Sequence, residues 1–251
     1  MVEDIELAEI IRNLALEQQN QIQSEIQLFL KAKGLNAIYH FTSISNLPGI
    51  FLHGILGREE LEKRALKFEI TDQLRSEPIV NGICCSFSKL NAYMFSKKIT
   101  LGHQLAVVKL APVSEILLKI PFVCSPGNFG SQIHKRRILS WPEEYIGGRG
   151  LVNMFLNEFL RNKYKLDTNE PTDPQAEIIF LDSIPSSFIE SISVPMQSNY
   201  SDRESMDKII RAIPKGLLVE TRDERMFPAL KWGDSDLGLE FSERKWSENW
   251  R

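Results

Sequence analysis

The spacing of the apolar β-type runs is what most restricts the fold. Short runs of strand character lie at residues 37–41, 83–87, 105–110, 116–123, 176–181, 192–194 and 217–220, and the segments between them range from a few residues to more than forty. A doubly wound parallel sheet needs one crossover helix after every strand, whereas an antiparallel or mixed sheet with helices set around it does not. The irregular spacing therefore predicts an α+β, sandwich-like domain.

Helical periodicity fills several of the gaps. Ile10, Ile11, Leu14, Ile22, Ile26 and Phe29 recur every three or four positions, which predicts an amphipathic helix or helix pair ending at Gly34. Such a stripe has to pack on the domain or on another chain. Residues 43–48 are rich in cap residues with a proline placed for a first helical turn, and Gly54 sits where a helix would end. Further helices are expected at 59–67, around Ala92 to Phe95, at 151–160 and at 206–213, with Gly147, Gly148 and Gly150 read as a mobile loop. That GGRG follows no strand of a βαβ unit, so it is not a dinucleotide-binding fingerprint. The chain divides into a helical extension (1–34), a main domain (35–222) and an acidic, Trp-bearing tail (223–251).

Bulk properties narrow the setting. No stretch reaches the roughly 18 apolar residues of a membrane span, and Glu3, Asp4 and Glu6 stand where a signal peptide carries positive charge, so a cytoplasmic, unexported protein is expected. Cys84, Cys85 and Cys124 suit neither a disulfide framework nor a zinc site and read as small core side chains; no metal is expected. With a net charge of −3, a polyanion would have to bind at a local patch such as Lys97-Lys98, Lys135-Arg136-Arg137 or the Arg161, Lys163, Lys165 run, each of which in isolation reads as a solvated face.

One charge interrupts an otherwise apolar strand. Glu177, within 176–181, loses hydration on burial, so it is either a structural ion pair, an outward-facing edge residue or a functional acid. The segment Tyr39-His40-Phe41-Thr42 places a histidine and a hydroxyl on one face of a strand just before a helix start, where both can hydrogen-bond a sugar, or simply satisfy nearby backbone.

Tyr39-His40-Phe41-Thr42, followed by Ile44, Asn46-Leu47, Ile50 and Gly54, resembles the opening NAD-binding motif of DarT, the DNA ADP-ribosyltransferase toxins of toxin–antitoxin and phage-defence systems. Pro171-Thr172-Asp173-Pro174-Gln175-Ala176-Glu177, followed by Ile178-Ile179-Phe180, resembles the family's QAE signature. Between them, Ser86-Phe87-Ser88 with Asn91 and Tyr93-Met94-Phe95 is similar to the guanine-modifying branch, as is the stretch from Pro121-Phe122 through Asn128 and Ser131. The resemblance spans residues 37 to 222 and leaves out the first 34 residues and the tail.

The resemblance implies an ADP-ribosyltransferase fold, with two split antiparallel β-sheets holding NAD as co-substrate in a bent form. It implies that Glu177 is the central catalytic residue, with His40 and an arginine beside it. Arg75 is the positional candidate for that arginine, and Arg64, on a helix, is the competitor. Tyr39, His40, Thr42, Asn46, Leu47, Ser86, Phe87 and Met94 are the implied NAD-binding residues, Phe87 and Met94 walling the nicotinamide. Gln175, with Lys135, Arg136 and Arg137, is assigned to single-stranded nucleic acid, with Phe129 or Tyr145 as stacking partners. The implied activity is transfer of ADP-ribose from NAD to a base of single-stranded nucleic acid, DNA before RNA. A protein-modifying or NAD-hydrolysing enzyme of the same fold is the alternative. An antitoxin, either a macrodomain protein or a chaperone-assisted one, is the implied partner.

Overall fold

The computed structural model describes residues 9–17, 23–71, 79, 81–195, 209 and 211–222. The strands are β1 (Ile38–Ser43), β2 (Ile83–Phe87), β3 (Leu105–Leu110), β4 (Phe122–Ser125), β5 (Glu177–Phe180), β6 (Ile189–Pro195) and β7 (Leu218–Arg222). They form a seven-stranded sheet in the order β4-β5-β2-β1-β3-β6-β7. Every pairing is antiparallel except β6 with β7. The architecture is thus α+β, as the spacing of apolar runs predicts.

The two halves of the sheet are barely joined. β1 and β3 share six register pairs, from Ile38↔Leu110 to Ser43↔Leu105, whereas β1 and β2 share two, Ile38↔Phe87 and Tyr39↔Ser86. Beyond Tyr39 the strands part, and one face of the parting is open. The expected pair of split sheets is therefore one sheet with a short hinge ladder at its centre.

Around it, among the described residues, stand α1 (9–17), α2 (Gln23–Lys33), α3 (Leu47–His53), α4 (Arg58–Lys63), α5 (Ala92–Thr100), α6 (Val113–Lys119), α7 (Gln132–Ser140), α8 (Gly147–Asn153) and α9 (Glu158–Lys163). The N-terminal stripe packs on the domain itself. Ile26 and Leu30 join the main core with Leu151 and Phe155, while Ile11 and Ala15 join a second core under Ile179. Phe29 meets Phe155 edge to face at 5.6 Å. Residues 1–8, 206–208, 210 and the tail lie outside the described residues; within the expected 206–213 helix, Ile209, Arg211 and Ala212 are helical and Ile209 is buried.

Three expected elements differ. Residues 116–123 read as β throughout, but Val113–Lys119 is helical. Val113, Ile116, Leu117 and Ile120 are buried at helical spacing behind Pro112, and Glu115 and Lys119 pair one turn apart at 3.0 Å. The glycine-rich 147–150 segment is the start of α8 and not a mobile loop. A Cβ on Gly150 would lie 2.3 Å from the Tyr145 carbonyl oxygen, so glycine is there to let two backbones touch. The expected helix 151–160 is two helices, because Asn157 adopts φ 72° and caps α9 by accepting a hydrogen bond from Leu160 N–H.

Gly54 closes α3 at φ 80°, and its Cβ would lie 2.4 Å from the Ile184 carbonyl oxygen. That carbonyl accepts the Ile55 N–H at 2.8 Å, so the backbone there cannot withdraw without losing the bond. Gly54→Ala adds left-handed strain to the overlap and is expected to destabilise the fold by about 2–4 kcal/mol. A denaturant midpoint equal to wild type would contradict this.

Candidate functional site

The parting of β1 from β2 opens a cavity of about 290 Å³. Its wall includes Tyr39, His40 and Thr42 from β1, Asn46 and Gly54 around α3, Cys84, Cys85 and Ser86 from β2, Met94 from α5, Glu69, and Glu177 at the start of β5. His40 and Glu177, 137 positions apart in sequence, thus face one space across β2.

His40 sits where the β1–β2 ladder ends. Its Nδ1–H donates to the Cys84 carbonyl at 2.9 Å, a side-chain rung in place of the missing backbone rungs. Because a carbonyl only accepts, the proton is on Nδ1. Thr42 and Asn46 form the opposite lip. Asn46 Nδ2 donates to Thr42 Oγ1 (2.9 Å) and to the Glu69 carbonyl (3.0 Å), and Asn46 Oδ1 accepts the Glu69 N–H (2.7 Å). Asn46 therefore fastens the segment carrying Glu69 to β1. The Glu69 carboxylate accepts from Ser43 (2.6 Å) and Ser45 (2.9 Å); burial alone would raise its carboxyl, but these hydroxyls with His103 hold it below the ordinary range.

Glu177 is half-buried, with its backbone opposite Ser125 of β4. Its Oε2 accepts the Phe129 N–H at 3.0 Å, so the 125–131 loop holds one carboxylate oxygen. The turn before it is built tightly: Asp173 Oδ1 accepts Gln175 N–H (2.7 Å) and the Asp173 carbonyl accepts Ala176 N–H (3.0 Å). Asp173 is 5% exposed, and burial pushes its carboxyl up to about 7.

The other expected residues divide. Ser86 and Met94 line the cavity, whereas Leu47 and Phe87 are fully buried in the main core beneath it. Arg75 lies outside the described residues, and Arg64 is half-exposed and paired with Glu60 at 2.6 Å. Gln175 accepts from Asn128 Nδ2 at 3.4 Å, beside the Glu177 turn. Lys135 and Arg136 stand on α7, half-buried and exposed respectively, while Arg137 is paired with Glu144 at 2.7 Å. Phe129 and Tyr145 cannot serve as stacking platforms: both are fully buried, against each other and His134. The three cysteines are free thiols; Cys85 and Cys124 are buried, and burial holds both thiols well above their ordinary range. Among the described residues no His, Cys, Asp and Glu cluster could hold a metal ion, and no helix is long and apolar enough to cross a membrane.

Two cationic side chains taken as solvated are not. Lys98 is 7% exposed and lines the cavity, on the face of α5 that also carries Asn91 and Met94. The 91, 94, 98 spacing was a legible signal for a shared helix face. Arg161, 6% exposed, donates to the carbonyls of Glu170 (2.6 Å) and Asp167 (2.7 Å) and fixes the loop that leads to Glu177.

No family model matches the chain, and no curated protein matches it. Among solved structures, DarTG of Thermosipho africanus in complex with ADP-ribose is similar at TM-score 0.43 and 16% identity, over 76% of this chain and 50% of that one. DarT of Thermus sp. 2.9 in complex with NAD+ is similar at TM-score 0.44 and 16% identity, over 75% of this chain and 96% of that one. The same enzyme in complex with ADP-ribosylated ssDNA gives TM-score 0.44 and 16% identity, over 76% and 96%. The chain spans half the length of the Thermosipho africanus chain.

Proposed function

We propose that the chain is an NAD-dependent ADP-ribosyltransferase that modifies a base of single-stranded nucleic acid, DNA in preference to RNA, with Glu177 as its catalytic carboxylate. The observation that carries this reading is that Glu177 and the Tyr39-His40-Phe41-Thr42 segment, the two ends of the sequence resemblance, line one cavity. Its volume of about 290 Å³ is at the low end for small-molecule sites, which suits a nucleoside-sized part of a dinucleotide. The polar groups on its wall include hydroxyls, amides, the carboxylates of Glu69 and Glu177 and the imidazoles of His40 and His53, which suit a ribose, and Arg58, Lys67 and Lys98 add cations suited to a phosphate.

The chemistry follows from charge. When the bond between the ribose anomeric carbon and nicotinamide breaks, nicotinamide leaves with the bonding pair and the ribose gains oxocarbenium character. A carboxylate fixed beside that carbon stabilises the developing positive charge. The attacking nitrogen of the base forms the new bond and gives up its proton, which the same carboxylate accepts. The Phe129 N–H occupies part of Oε2 and fixes the orientation of the carboxylate. The base must be unpaired and unstacked to reach the site, which selects single strands. Gln175 meets the base, and Lys135 and Arg136 draw the backbone electrostatically.

In a cell such an enzyme damages its own nucleic acid, so it acts as the toxin of a toxin–antitoxin or phage-defence pair, neutralised by a macrodomain or chaperone-assisted antitoxin. The test is mass analysis of single-stranded DNA and RNA oligonucleotides of varied base content after incubation with NAD. An ADP-ribose adduct on DNA supports the reading, and an adduct on RNA alone moves the substrate to RNA. NAD loss without an adduct makes the chain a hydrolase or protein-modifying enzyme. His40→Ala removes the rung at the mouth of the cavity and is expected to weaken NAD binding about tenfold, measured by titration calorimetry. An unchanged dissociation constant would take His40 out of the site.

A further inference from the structure

We infer that Asp173 and His134 together brace one face of the Gly127 turn and thereby hold the Phe129 N–H against Glu177, making both positioning residues for the transfer step. The inference rests on the reading of Glu177 as the catalytic carboxylate.

The geometry lies in two side chains, Asp173 and His134, that the transfer chemistry leaves unused. A Cβ built on Gly127 would sit 2.9 Å from His134 Nε2 and 3.0 Å from Asp173 Oδ2, so an imidazole from α7 and a carboxyl from the 171–177 turn abut the same face of this glycine. Each is anchored from behind. Asp173 Oδ1 accepts Gln175 N–H at 2.7 Å, and His134 Nδ1 is 2.8 Å from the Tyr145 hydroxyl. Past Gly127, Asn128 reaches Gln175 Oε1 (3.4 Å) with its amide and accepts Gly130 N–H (2.8 Å) with its oxygen. The next residue, Phe129, donates its N–H to Glu177 Oε2 at 3.0 Å.

The loop is thus clamped at Gly127 by two polar side chains and delivers a backbone donor to the carboxylate two residues on. A purely structural corner could be filled by apolar atoms at lower cost, because neither a carboxyl nor an imidazole is readily buried. Burial also pushes the Asp173 carboxyl up to about 7 and, with Arg137 nearby, the His134 imidazole down to about 4. Two shifted groups packed against one glycine beside the proposed catalytic residue are the pattern of a functional site.

The test compares wild type with Gly127→Ala, Asp173→Ala and Asp173→Asn. Three readouts are used: exchange of the Phe129 amide hydrogen by NMR, single-turnover transfer from NAD, and NAD affinity. Gly127→Ala pushes both side chains away, and Asp173→Ala removes one of them. In both, Phe129 exchange is expected to quicken about tenfold or more, and transfer to slow on the order of 10- to 100-fold, with NAD affinity little changed. Asp173→Asn keeps the shape and the Gln175 contact, so it should restore Phe129 protection and most of the rate. Phe129 exchange unchanged in Gly127→Ala and Asp173→Ala would overturn the inference. So would a loss of protection matched by the same loss of global stability, with the transfer rate intact. If wild type consumes no NAD, the enzymatic reading fails, and the Phe129 exchange still decides whether the clamp exists.

Discussion

Glu177→Gln should leave NAD binding within about threefold of wild type and lower ADP-ribose transfer by about 10³-fold. The amide keeps the size of the side chain, and its oxygen still accepts the Phe129 N–H. It cannot carry negative charge beside the anomeric carbon or take a proton from the base. Loss should therefore fall on the rate of chemistry and not on KM for NAD. Adduct formation undiminished in this variant would remove Glu177 from the mechanism. Loss through NAD affinity alone would make it a binding residue.

Asp173→Asn should change stability in a pH-dependent way. An unfolded carboxyl titrates near 3.9, whereas in the fold the Asp173 carboxyl sits at about 7. Between those values the folded protein keeps a proton that the unfolded chain has released, so its stability falls as pH rises, and above pH 7 the whole cost remains. The cost is at most about 4 kcal/mol. Asparagine carries no such cost, so the variant should gain about 2–4 kcal/mol relative to wild type between about pH 5 and about pH 8. Wild-type His134 runs the other way, losing stability as pH falls from the unfolded value near 6.5 toward about 4, and does so equally in both proteins. Denaturant unfolding at both pH values measures the difference. A variant destabilised by the same amount at each would show that the Asp173 carboxyl is not held protonated by the fold.

The parts of the fold legible in the sequence were those set by local periodicity. The runs at 83–87 and 105–110 match β2 and β3, and the glycine at 54 marks the end of α3. Within the expected β run 116–123, residues 116–119 are helical instead, because a buried helix and a buried strand are both apolar runs; the apolar spacing behind Pro112 and the pairing of Glu115 with Lys119 mark the helix. The glycines at 147–150 carried no local signal for α8, since the close approach to Tyr145 that requires Gly150 is a tertiary contact.

The candidate site shows the same division. His40, Thr42 and Glu177 were visible as polar residues in apolar strands, and they share one cavity. Lys98 and Arg161 were hidden, because a lysine or arginine in a charged run looks the same whether its head group reaches solvent or turns inward. Phe129 and Tyr145 failed in the opposite sense: aromatic residues near a basic cluster suggest stacking, and here they fill a core. The clamp on Gly127 could not be read at all, since Asp173 and His134 meet only through the pairing of β4 with β5.

On the proposed reading, the space between β1, β2 and β5 holds NAD with its nicotinamide-side ribose against Glu177. A structure determined with a non-cleavable NAD analogue tests it most directly. The ribose is expected between His40 and Glu177, with a hydroxyl within hydrogen-bond reach of the Glu177 carboxylate. A dinucleotide bound elsewhere, or lying in the cavity with its ribose turned away from Glu177, would contradict it.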